Sequence, residues 1–152
     1  MPAKSASTSN VWTREERAAV AAAARERKAA ASGSPEDARA QGLQDVRAAI
    51  AKMPADDRAM AERVHEIVSA AAPALVPKTY YGMPGYATEG KNGRSICFFK
   101  PKSKFRVRYS TLGFQADAKL DDGDMWPTEF AVIEITPEVE ARITDLVRKA
   151  VG

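Results

Sequence analysis

Three groups of side chains have the types and spacing to do chemistry. Asp117, Asp121, Asp122, Asp124 and Glu129 bring five carboxylates into one short stretch. Closely spaced carboxylates in a loop can wrap a hard cation with oxygen ligands, and iron can be held by such donors without histidine. The spacing is not that of an EF-hand. With Asp117 placed first, Lys119 takes the third ligand position and Thr128 stands where the bidentate glutamate belongs. Asp121, Asp122, Asp124 and Glu129 are therefore candidate metal ligands, with iron the candidate cofactor. The same acids also suit a solvated turn that keeps a sheet edge soluble.

The second group is cationic: Lys91, Arg94, Lys100, Lys102, Lys104, Arg106 and Arg108 follow one another with no intervening acid. Such a run attracts an anionic ligand or an acidic protein partner. Lys104, Arg106 and Arg108 alternate with Phe105, Val107 and Tyr109, the two-residue period of a strand with one wet face and one buried face. That alternation sets the rings on the face opposite the charges. It argues against nucleic acid, which needs stacking platforms and cations side by side.

The third group is the run from Lys78 to Tyr86, where three tyrosines and Met83 surround Gly82, Pro84 and Gly85. Large side chains on a backbone punctuated by Gly and Pro predict a shaped surface: a seal between sheet and helices, or a shallow groove edged by Tyr81, Met83, Pro84 and Trp126. Tyr and Trp suit a groove because each offers area and one polar handle.

Enzymatic parts are scarce. His65 is the only histidine and sits beside an apolar stripe between Glu62 and Glu66, so a two-histidine metal site cannot form. Cys97, the only cysteine, lies in the apolar run Ile96-Cys97-Phe98-Phe99 and reads as a buried structural thiol in a reducing, cytoplasmic setting. There is no Gly-rich phosphate loop and no Gly-x-Ser-x-Gly elbow. The residues point to a non-catalytic binding module.

The tyrosine-glycine-methionine-proline run, with Ile96 to Phe99, Arg108 to Phe114 and Met125-Trp126-Pro127, resembles the YdhG-like bacterial family, domain of unknown function 1801. The resemblance spans roughly Pro54 to Val151. It implies a compact α+β domain with an antiparallel sheet packed by helices from both ends. It also implies a distant frataxin-like relationship, and through it an alternative role as an iron-binding chaperone in iron or iron-sulfur handling. In frataxins the acids lie mainly on a helix and an adjoining strand edge, whereas here they fall in a loop.

The elements that must position these residues follow from pattern. The chain has 152 residues and a formal charge of +3, enough length for one core without disulfides or metals. Nine Lys and Arg against six Asp and Glu place the excess charge in residues 1–54, and the remainder balances. Residues 1–12 read as a disordered tail, and 13–33 as an alanine-rich helix and linker opened by a Thr13/Glu16 capping box and broken at Ser32-Gly33-Ser34-Pro35. The alanine run from Ala18 to Ala24 is too short and too weakly hydrophobic to span a membrane. Residues 34–152 form the domain. Leu43, Val46, Ile50 and Met53 make one helical stripe, Met60, Val64, Ile67, Val68 and Ala71 a second, and Val139, Ile143, Leu146 and Val147 a third after Thr136-Pro137. Between them, strands are expected near Tyr86 and over Ser95 to Phe99, joined by a tight turn at Lys91-Asn92-Gly93, then over Lys104 to Tyr109 and Glu129 to Ile135.

Overall fold

The computed structural model describes residues 12–30 and 34–152. Residues 1–11 of the expected disordered tail, and the Ser32-Gly33 part of the expected break, lie outside the described residues. The order of elements is α1 (Arg14–Ala30), α2 (Pro35–Ala51), α3 (Ala55–Ala71), β1 (Val76–Pro77), β2 (Gly85–Ala87), β3 (Ser95–Lys100), α4 (Lys102–Phe105), β4 (Ser110–Phe114), β5 (Glu129–Val132) and α5 (Pro137–Val151).

Local chemistry sets the helix ends. Thr13 Oγ1 accepts from the Glu16 amide while the Glu16 carboxylate accepts from the Thr13 amide, the reciprocal capping box expected at the start of α1. Ser34 and Thr136 cap α2 and α5 through the amides of Asp37 and Val139, each with a proline in the first helical turn. Pro73 lies just past the end of α3, where a ring without an N–H cannot continue the ladder.

The sheet is a meander, β1-β2-β3-β4-β5, antiparallel throughout. One face carries Tyr86, Cys97, Phe99, Leu112, Phe114 and Val132 into a core shared with Val46 and Ile50 of α2, Val64, Ile67 and Val68 of α3, and Ile143 and Val147 of α5. Phe98 points the other way, and its ring occupies the space above Gly113, its cross-strand partner. No side chain at position 113 could coexist with that ring. α2 likewise runs so close to β1 that a Cβ at Gly42 would overlap the Pro77 carbonyl.

The expected strand over Lys104 to Tyr109 does not exist. Lys102–Phe105 coil as the short helix α4, Arg106 closes it in the left-handed conformation at φ 55°, and the strand begins only at Ser110. Two polar anchors decide this. The Ser103 amide donates to Asp57 Oδ2 at 3.1 Å, and the Lys102 amide donates to Ser110 Oγ at 3.1 Å. Asp57, on α3, is 2% exposed, so its carboxylate holds the turn from beneath. The alternation of charge and ring is therefore not strand pleating: Val107 and Tyr109 are exposed alongside Arg106 and Arg108. A second, smaller correction concerns the β2–β3 turn, where positive φ falls on Gly90 (103°) and not on Asn92 or Gly93.

Candidate functional site

The most unusual backbone among the described residues is the turn between Tyr80 and Met83. The Tyr80 amide donates to the Met83 carbonyl at 2.8 Å and the Met83 amide returns to the Tyr80 carbonyl at 2.9 Å. The two central residues, Tyr81 and Gly82, both have positive φ, 50° and 78°. This is the pattern of a two-residue I′ hairpin turn, which glycine enters freely and tyrosine does not. Tyr81 keeps 37% of its surface exposed, and its ring meets Tyr80 edge-on at 4.7 Å. Tyr80 in turn lies 5.1 Å from Phe98 on the sheet face away from the core.

Inside such a turn the two central amides have no backbone partner. Here both donate to one carboxylate: Tyr81 N–H to Glu26 Oε2 at 3.2 Å and Gly82 N–H to Glu26 Oε1 at 3.0 Å. Consecutive amides that converge on one anion form a small positive concavity. Lys104, from α4, adds a formal charge, since a Cβ built on Gly82 would stand 3.2 Å from Lys104 Nζ. Burial pushes the Lys104 ammonium below its usual pKa, and Glu26 pulls it partly back up. The turn and Lys104 thus build a cradle for one negatively charged, two-oxygen group. Lys100 extends the positive character, its Nζ lying 4.7 Å above the Phe105 ring.

α1 reaches the cradle with little apolar help. Among its described side chains, Ala19 and Ala23 are buried and none enters the core cluster. At about 0.8 kcal/mol per buried methyl, two alanines supply about 1–2 kcal/mol. A groove of about 800 Å³ separates α1 from α2, lined among others by Ala22, Glu26, Gln41, Lys52, Met53 and Lys104.

The residues singled out from sequence are divided by the structure. Tyr81 and Lys104 meet at the cradle. Met83, 6% exposed, and Pro84 are buried beside it and brace the turn; the Pro84 carbonyl accepts from the Phe99 amide at 2.8 Å. Trp126 is elsewhere, half-buried against the core in the loop before β5, so it does not edge a groove with Tyr81. Arg106 leans toward Glu15 of α1 at 3.9 Å, and Arg108 lines a separate cavity of about 430 Å³ with Asp56, Met60 and Tyr109. Asp121, Asp122, Asp124 and Glu129 are all exposed, and Asp117 is paired with Arg94 at 3.4 Å. Among the described residues no three His, Cys, Asp or Glu side chains converge where a metal ion could sit.

Glu26 escaped the sequence reading. Its one signal is position: an acid among Arg25, Arg27 and Lys28 near the C-terminal end of a helix, where the macrodipole disfavours negative charge.

Comparison with protein-family models, curated proteins and solved structures gives no match. No helix among the described residues is long and apolar enough to cross a membrane.

Proposed function

We propose that this α+β chain is a non-catalytic binding module, of YdhG-like kind, that engages the anionic group of a small ligand or protein partner at the Tyr81–Gly82 turn and Lys104. One observation carries the reading. A single carboxylate is held by two consecutive amides that the left-handed turn turns outward, with an ammonium beside them. Tyr81 in this conformation is strained relative to ordinary backbone, and such strain is retained where the surroundings over-determine it. The exposed Tyr81 ring, with Tyr80 behind it, offers an apolar wall beside the charge. A partner therefore meets area and polarity together.

The test is amide NMR on the isotope-labelled full chain carrying Glu26→Ala, which empties the cradle, titrated with acetate, glutarate and inorganic phosphate at millimolar concentrations. Shifts concentrated at Tyr81 and Gly82, with a matching change at Lys104 Nζ and their loss in Lys104→Ala, are the expected result. Shifts spread evenly over all surface cations would discard the reading.

A further inference from the structure

The cradle is already filled by the chain's own α1, and the manner of filling describes what else would fit. Glu26 supplies the two oxygens. One helical turn earlier, Ala22 sits over Gly82, its Cβ 3.4 Å from the place a Cβ on Gly82 would take. The unit seated on the cradle is a helix with an alanine over Gly82 and, four positions on, a glutamate. Among the described side chains, α1 holds this place by its carboxylate, two buried alanines and one long, exposed ion pair, and none of them reaches the core.

Resting on the cradle as the recognition surface, we propose that the partner is a helical peptide segment of another protein carrying that alanine and glutamate pair, and that α1 is an internal competitor which must swing away before the partner docks. The groove between α1 and α2 gives α1 space to move without disturbing the core.

The experiment uses the full chain as wild type, Glu26→Ala, Glu26→Ala with Lys104→Ala, and Glu26→Gln, with a synthetic peptide of residues 13–30 as the probe and its Glu26→Gln counterpart as control. Amide shifts at Tyr81 and Gly82 report binding. The peptide should bind Glu26→Ala at least tenfold more tightly than wild type, the glutamine control should bind at least tenfold less well, and Lys104→Ala in the same background should abolish the difference. Hydrogen exchange at Tyr81 and Gly82 should quicken in Glu26→Gln without peptide. Equal binding to wild type and Glu26→Ala, equal binding of the two peptides, or unchanged exchange would each overturn the competitor role. Should acetate shift Tyr81 and Gly82 while the peptide does not, the helical partner is refuted and the anion cradle stands.

Discussion

His65 Nδ1 lies 2.8 Å from the Tyr86 hydroxyl, and their rings stack at 5.8 Å. Burial lowers the His65 pKa below its usual 6.5, Arg47 lowers it further, and Glu66 opposes them. Burial drives Tyr86 upward, so its phenol stays protonated and can donate to a neutral imidazole. The consequence has a definite sign. An unfolded chain takes up the proton as pH falls through about 6.5, and the folded chain does so only at lower pH. The contribution to stability is therefore intact above that value and lost as pH falls from it toward the depressed folded pKa. Urea midpoints measured at pH 7.5 and pH 5.5 should fall on acidification in wild type and fall less in His65→Gln, which keeps a hydrogen-bonding group without the titration. An identical fall in both would show that other groups carry the acid sensitivity. Cys97 belongs to the same buried layer, its thiol pushed up to about 12 by burial, which leaves it a packing group and not a nucleophile.

Among elements, α2 against β1 is the tightest fit. The missing side chain at Gly42 lets the helix rest on the Pro77 carbonyl, so Gly42→Ala must push α2 off the sheet. Calorimetry should register a loss of about 1–3 kcal/mol, the usual cost of overpacking, despite alanine's better helix propensity. A variant as stable as wild type would mean that α2 can shift freely. α2 and α5 were legible in sequence because each carries both a cap and an apolar stripe: Ser34 with Val46 and Ile50, Thr136 with Ile143 and Val147. The segment Lys104 to Tyr109 was not, because its alternating composition is decided by Asp57 and Ser110, partners distant in sequence that no local pattern reveals. The cradle was half legible. Tyr81 and Lys104 stood out by type, but the amides that complete it are backbone and the carboxylate comes from a helix 55 residues earlier. The strand expected over Glu129 to Ile135 is shorter in the structure, since it ends at Val132 and leaves Ile133 exposed.

At the scale of the molecule, the core is a contract among α2, α3, α5 and the sheet, and α1 stands outside it. Phe99, fully buried at the centre, should cost about 3–5 kcal/mol when replaced by alanine. Glu26→Ala should leave the unfolding free energy from urea titration within a fraction of a kcal/mol of wild type while detaching α1, a contrast that circular dichroism can follow. A large loss of stability in Glu26→Ala would make α1 part of the cooperative unit. The strand order has one more consequence, for synthesis. Because every strand lies beside its neighbour in sequence, the sheet can add one strand at a time as the chain leaves the ribosome, with no earlier strand waiting for a distant mate. α3 packs partly on α2 but keeps apolar surface that α5 covers, so the nascent protein is most exposed to misassociation just before α5 emerges.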